Sequence, residues 1–388
     1  MDEQAPIQPI EVDGNRLTLL AEGGQRLEAL IRLIAEAEHS LRILYYIWEN
    51  DATGQRVRDA LVAAAGRGVT VALLVDGFGA ANATEAFFQP LIDAGCRFCR
   101  FVPRFGRRYL LRNHQKLALA DERRVIIGGF NIADEYFGTI ESGAWRDLGL
   151  LVEGRGAAGL APYFDDLFTW ASKPDGRIRE LRRILSRHSV TEGKLHWLFG
   201  GPTRRLSPWA RAVRRDLSSA MRLDLIAAYF APGPALLRRS GNVARRGQVR
   251  LITAAKSDNG ATIGAARHTY GVLLKRGVRV FEYQPTKLHT KLFVLDQVVH
   301  IGSANFDMRS LYLNLEMMLR IEDAEFAAAM RRFVDGEVAQ CVEITREAYR
   351  KRRTLFNRLR WGFAYFLVAI ADYRISHRLN FRNEPMAG

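Results

Sequence analysis

The sequence predicts an α/β fold built from two similar lobes, and three observations carry that expectation. First, His-x-Lys followed by four residues and Asp occurs twice, at His114, Lys116 and Asp121 and again at His289, Lys291 and Asp296. Each copy runs on through an apolar stretch into a glycine-containing turn and an Asn: Gly128-Gly129 with Asn131, then Gly302-Ser303 with Asn305. Second, the two histidines stand 289 − 114 = 175 residues apart in a chain of 388, so the repeat is the size of a domain. Third, apolar β-rich runs alternate with amphipathic helical stretches in the same order in both halves, which points to α/β lobes with largely parallel sheets.

Taken in order, a short arm leads to a strand near Arg16–Ala21 and a helix over 25–38 with Leu27, Leu30, Ile31 and Ile34 on one face. LRILYYIW (41–48) is a strand, and the helix over Arg56–Gly66 ends at a glycine. VTVALLVDG (69–77) reads as a buried strand, followed by a helix at 84–94 and a strand at 97–101. The first motif comes next. The second half replays the order: helix 208–220, strand 223–230, helix 234–246, strand 249–255, helix 262–276 and strand 278–283, then the second motif. Between the halves, 156–171 is helical and 173–192 is an Arg-rich connector, best read as a solvated helix face. The expected organisation is an N-terminal lobe (1–155), a helical and basic connector (156–205), a C-terminal lobe (206–343) and a basic-apolar segment (344–388).

Composition narrows the partners. A net charge of +15 calls for an anionic partner, either nucleic acid or an acidic membrane, while 48% hydrophobic residues exclude a disordered chain. Three cysteines, Cys96, Cys99 and Cys341, cannot all pair, and the lone CxxC has no second CxxC to build a zinc site. A reducing cytoplasm fits this usage, and the first residues lack the basic and apolar regions of a signal peptide.

The motif has direct chemical content. KLALAD and KLFVLD read as buried strands, and residues two apart on a strand share a face, so each His projects with its Lys into one pocket. Asp121 and Asp296 sit at an odd offset from their histidines, and this parity assigns them to holding the motif's turn rather than to substrate. Lys can neutralise an anionic, phosphate-like group while neutral imidazole attacks phosphorus or shuttles a proton. Lys116, Lys291, Asn131 and Asn305, with Ser303, would supply converging donors to the non-bridging phosphate oxygens. No cofactor is called for, and no acidic cluster has the spacing to hold a metal.

The duplicated HxKxxxxD resembles the signature of the phospholipase D superfamily. From about Leu17 to Cys341, with LYYIWENDATGQRVRDAL, AAAGRGVTVALLVDGFG and GSANFDMRSLYLNLEMML, the chain is most similar to bacterial cardiolipin synthases that lack an N-terminal membrane-spanning pair. This resemblance implies two phospholipase D-like lobes with one active site at their pseudo-twofold interface. The six motif residues, Asp121 and Asp296 included, would be its catalytic set, with His114 as nucleophile and His289 as acid and base. It implies transfer of a phosphatidyl group from phosphatidylglycerol to a second lipid alcohol through a phosphohistidine. Hydrolysis by the same site and nuclease activity are the alternatives, and the apolar tail argues against nucleic acid.

Each imidazole also needs a partner on its far nitrogen. Strand-like WRDLGLLV and NLEMMLRI downstream of the motifs offer Asp147 and Glu316, and acids of this kind orient the histidines in the superfamily. The order along the chain assigns Asp147 to His114 and Glu316 to His289. Beyond Cys341, residues 346–382 hold ten Lys/Arg against Glu347 and Asp372, around the apolar WGFAYFLVAIA (361–371). Eleven residues are too few to span a bilayer, which takes about 20. Basic flanks and aromatics suit a helix lying on anionic lipid, on the cytoplasmic side of the membrane.

Overall fold

The computed structural model describes residues 7–102, 111–173, 176–189, 193–203 and 206–371. The first lobe comprises β1 (Ile10–Val12), β2 (Asn15–Leu20), α1 (Gly23–Ala35), β3 (Ser40–Tyr45), α2 (Ala52–Gly66), β4 (Thr70–Asp76), α3 (Glu85–Asp93), β5 (Arg97–Phe101), β6 (Leu117–Ala120), β7 (Arg124–Gly128) and β8 (Gly149–Gly154). Helices α4 (Leu160–Ser172) and α5 (Ile178–Arg187) follow. The second lobe comprises β9 (Leu195–Gly200), α6 (Pro208–Ser219), β10 (Arg222–Ala227), β11 (Phe230–Ala231), α7 (Pro234–Arg246), β12 (Gln248–Ala254), α8 (Gly260–Lys275) and β13 (Arg279–Tyr283). It continues with β14 (Lys291–Leu295), β15 (Val298–Gly302), β16 (Phe306–Asp307), α9 (Met308–Tyr312), β17 (Glu316–Glu322), α10 (Ala324–Ala339) and β18 (Cys341–Glu343).

The strand orders are β1-β2-β8-β7-β6-β3-β4-β5 and β18-β13-β12-β10-β14-β15-β17-β9. Read in opposite directions seven strands of each sheet correspond, with β9 in the place of β2, while β1 and β18 each extend one edge without a counterpart. The duplication is therefore architectural. Because β9 joins the second sheet, that sheet starts inside the stretch expected to be connector. The sheets are mixed rather than largely parallel. In the first, only β3–β4 and β4–β5 run parallel, and in the second only β10–β12 and β12–β13. The motif strands explain this: β6–β7 and β14–β15 are joined by tight turns, and such short links allow only antiparallel pairing.

One core lies between the two sheets. Leu117, Leu119, Ile127 and Leu150 of the first sheet and Leu292, Val294, Ile301 and Leu319 of the second pack with Phe164 and Leu167 of α4 and Phe326 and Met330 of α10. Each fully buried side chain of this kind contributes about 1.5–3 kcal/mol, so the lobes are joined by a continuous apolar seam. Helices α1–α3 cover the outer face of one sheet, and α6–α8 that of the other. The connector helix α5 turns Ile178, Leu181, Ile184 and Leu185 into this packing.

At one end of the seam, backbone crosses between lobes twice. His114 N donates to Leu315 O (2.9 Å) and Leu315 N to Arg112 O (2.9 Å); His289 N donates to Arg146 O (2.8 Å) and Arg146 N to Lys287 O (2.8 Å). Each pre-motif segment is thus held by the strand-entry segment of the opposite lobe, which sets up the site.

After β18 the chain forms α11 (Arg346–Arg352), α12 (Leu355–Tyr365) and a π-helical turn, Phe366–Ala371. No helix among the described residues is long and apolar enough to cross a membrane.

Candidate active site

His114, Lys116, His289 and Lys291 come together, all buried, where the two crossings meet. Each lysine folds back on its own histidine's backbone: Lys116 Nζ donates to His114 O at 2.7 Å, and Lys291 Nζ to His289 O. A lysine has three N–H donors, so this bond leaves others for a ligand. Electrostatically the copies act as one site, since Lys291 lowers the His114 pKa and Lys116 lowers that of His289.

The histidine partners are crossed relative to the assignment made from chain order. His114 Nδ1 lies 3.2 Å from Glu316 Oε2, and His289 Nδ1 lies 2.6 Å from Asp147 Oδ2. The cause is the backbone exchange described above. Glu316 follows Leu315, which is bonded to His114, and Asp147 follows Arg146, which is bonded to His289. A carboxylate only accepts, so Nδ1 carries the proton in both imidazoles and Nε2 presents a lone pair.

The two acids are held differently. Glu316 accepts from Ser303 Oγ (2.5 Å) and Ser310 Oγ (2.8 Å). Ser303, expected to touch phosphate, therefore spends its hydroxyl on the orienting acid. The position matching Ser303 is Gly129, where an added Cβ would sit 2.5 Å from Asp147 Oδ1, so that lobe has no room for a side chain. Asp147 instead accepts from Leu148 N (2.7 Å) and is backed by the buried Arg26, which donates to Asp147 O (2.7 Å) and Tyr136 O (2.7 Å). Burial pushes the Asp147 carboxyl up, but His289, Lys291 and Arg26 together hold it below the usual range.

Asn131 and Asn305 are both buried here. Asn131 Oδ1 accepts from Ile47 N (3.1 Å), leaving Nδ2 as a buried donor without a hydrogen-bond partner. Asn305 Oδ1 is likewise unpartnered. Its amide can accept from a hydroxyl or, flipped, donate to an anion. Unsatisfied buried polar atoms cost about 1–3 kcal/mol each, and their concentration beside two buried lysines suits a polar, anionic ligand.

Asp121 and Asp296 do not enter the site, which corrects their place in the catalytic set and agrees with the parity of the motif. They lie at the opposite ends of β6 and β14 with positive φ, 51° and 45°. Asp121 accepts from Glu38, His39 and Ser40 N (3.0, 2.8 and 2.8 Å), and Asp296 Oδ1 from Arg222 N (2.9 Å). Each clamps the turn after its motif strand to the start of the neighbouring strand.

Sequence reasoning missed the walls of the site. Tyr46 stacks obliquely on His114 (4.8 Å between centroids), and Tyr136 and Trp145 stand edge-on to His289 (5.3 and 5.2 Å). Tyr229, bonded to Asp258 (3.0 Å), borders His289 from the second lobe. The signal for Tyr46 and Tyr229 was their place just past the ends of the paired strands β3 and β10. Arg26 and Ser310 gave none.

The lysines supply a pH prediction. Burial is the largest cause that lowers both pKa values, and Lys291 lowers that of Lys116 further, leaving apparent values of about 7 for Lys116 and about 8 for Lys291. Both are cationic below this window and lose charge above it. Activity per free enzyme, kcat/KM, is therefore expected to fall as pH rises through 7 to 8. A bound phosphodiester raises both pKa values, so the alkaline limb of kcat should lie higher than that of kcat/KM. Identical alkaline limbs in the two profiles would remove the lysines from anion binding.

The sequence matches the family described as "Cardiolipin synthase, PLD-like domain" over residues 30–158 and 213–336, one match per lobe. Cardiolipin synthase B of Shigella flexneri is 31% identical, with 89% of this chain and 86% of that protein covered. Cardiolipin synthase 1 of Bacillus anthracis is 30% identical, covering 88% and 70%. Among solved structures, phosphatidylserine synthase of Haemophilus influenzae Rd KW20 shares the fold, with a TM-score of 0.74 at 15% identity over 96% of this chain and 97% of that one.

Proposed function

We propose how this chain, which belongs to the cardiolipin synthase family and is a phosphatidyltransferase of the phospholipase D superfamily, carries out its reaction: it moves a phosphatidyl group from phosphatidylglycerol to a second lipid alcohol through a phosphohistidine. The observation that carries this reading is the pair of imidazoles with Nδ1 on buried carboxylates, flanked by two buried lysines. The lysines neutralise the phosphodiester, and Asn131 donates a hydrogen bond to it. His114 Nε2 forms a bond to phosphorus as the bond to the glycerol oxygen breaks, and His289 gives that oxygen its proton. The acceptor alcohol then passes its proton to His289, its oxygen bonds to phosphorus, and the bond to His114 breaks.

In the free enzyme His289 is depressed to about 3 by burial and then by Lys291, so it is neutral at neutral pH. Bound phosphate offsets the lysine charge and allows His289 to hold the proton it must deliver, with Asp147 stabilising the imidazolium.

The enzyme works at the cytoplasmic face of the membrane, where donor and acceptor lipids lie. The acceptor must outcompete water at about 55 M, which calls for a wall around the site. The Phe306–Arg309 turn, directly after Asn305 in the chain, is the part of the second lobe assigned to this wall. Loop 104–112, which leads into the first motif, lies outside the described residues except for Leu111 and Arg112.

Mass analysis of products from defined phosphatidylglycerol should give a cardiolipin-like product with glycerol released, and phosphatidic acid alone would make the enzyme a hydrolase. In His289→Ala, labelled substrate should leave a phosphatidyl group on His114. Label on another residue would overturn the nucleophile assignment.

A further inference from the structure

The C-terminal segment has two faces. Its inner face is part of the fold: Trp361 is 3% exposed and stacks on Tyr349 (5.9 Å), and Tyr365 Oη donates to Pro232 O (2.9 Å) while its ring stacks on His268 (4.9 Å). The apolar run 361–371, expected to lie on lipid, therefore begins with a residue that faces protein. The outer face is apolar and uncovered by any described residue, with Leu355 73%, Phe356 71% and Phe363 62% exposed, in line with the exposed Leu359, Phe366 and Leu367. Arg358 and Arg360 are exposed on the same helix, and Arg350, Lys351 and Arg353 on the turn before it. An apolar strip with cations beside it is complementary to a bilayer of anionic lipid, the phase that holds the proposed substrate.

The inner face also reaches the catalytic machinery. Ala369 packs with Ala231 and Ala265, and Met308, Tyr365 and Val368 close around them. Met308 is the first residue of α9, whose N-cap is Asp307, bonded to Ser310 N (2.8 Å). Ser310 Oγ in turn donates to Glu316 Oε1, whose other oxygen meets His114 Nδ1. One continuous set of contacts therefore runs from the exposed strip through Met308 and α9 to the acid that orients His114.

We infer that the α12 segment is a coupling element: docking of its outer face on an anionic bilayer is transmitted through Met308 and α9 to the Glu316–His114 pair and raises turnover. Met308 is a positioning residue here, acting on His114 through Ser310 and Glu316. The inference rests on the phosphatidyltransferase reading, and the experiment below separates the two.

The full chain is assayed on a short-chain phosphatidylglycerol kept below its micelle concentration, with and without phosphatidylcholine vesicles made anionic by cholesteryl hemisuccinate. Basal turnover tests the reaction itself; its absence with vesicle binding intact would sink the function and not the surface. The vesicles are expected to raise kcat severalfold at unchanged KM. The outer-face variant Phe356→Ser/Leu359→Ser/Phe363→Ser should keep the native melting temperature, lose vesicle co-sedimentation by roughly tenfold or more, and show no stimulation. Met308→Ala should bind vesicles like the native chain but lose most of the stimulation, and the volume-conserving Met308→Leu should restore it. Vesicle binding without any change in kcat, or full stimulation in a folded Met308→Ala, overturns the coupling. Native vesicle binding by the outer-face variant overturns the docking surface.

Discussion

His114→Ala and His289→Ala are each expected to lower phosphatidyl transfer by roughly 10³-fold or more, because nucleophile and proton carrier serve one reaction. The expectation follows from shared electrostatics: burial holds both imidazoles neutral in the free enzyme, and each feels the lysine of the other motif. Two independent sites would instead leave about half the activity in either variant. A double variant should be little worse than the singles, since groups acting as a unit are not additive. Steady-state transfer by folded variants, checked by thermal melts, decides the matter, and half-activity in either single variant would divide the site in two.

The crossed acids give the second large effect. Asp147→Asn should slow transfer by roughly 10²-fold or more by removing the acceptor that fixes the His289 tautomer, and Glu316→Gln should do the same through His114. Turnover alone cannot report which histidine each acid holds, but imidazole NMR can. In nitrogen-labelled protein, Asp147→Asn should move the His289 resonances and spare those of His114, with Glu316→Gln doing the reverse. The 2.6 Å His289–Asp147 contact makes its Nδ1 proton the more downfield of the two. If Asp147→Asn moved His114 instead, the acids would be paired within their own lobes and the interdigitated architecture would fail.

Several features could be read without any structure because they are local or repeated. The duplication was legible since the two HxKxxxxD copies recur at domain spacing, and an apolar run on each side dictates a buried strand wherever it lies. The parity of the motif was enough to turn Asp121 and Asp296 away from substrate, because strand geometry alternates faces whatever surrounds it. Asp147 and Glu316 could be picked out as acids on strand-like segments.

Their pairing could not be read from the sequence. Chain order favours the nearer acid in the same lobe, but two short backbone exchanges, Asn113 with Leu315 and Arg146 with Leu288, deliver each histidine to the acid of the other lobe. The sheet directions were also beyond reach, since an apolar run is the same in parallel and antiparallel neighbours and only the tight turns after the motif strands decide. Ser303, placed by its spacing as a phosphate ligand, instead gives its hydroxyl to Glu316, 13 residues away in the chain. The tail showed the same limit: composition marked it as apolar and basic, but periodicity cannot say which side of a helix meets protein. Packing against α8 made that choice, burying Trp361 and leaving Phe356 and Phe363 in the open. Local chemistry is written in neighbouring residues, whereas contacts between segments a hundred or more residues apart exist only once the lobes close on their shared core.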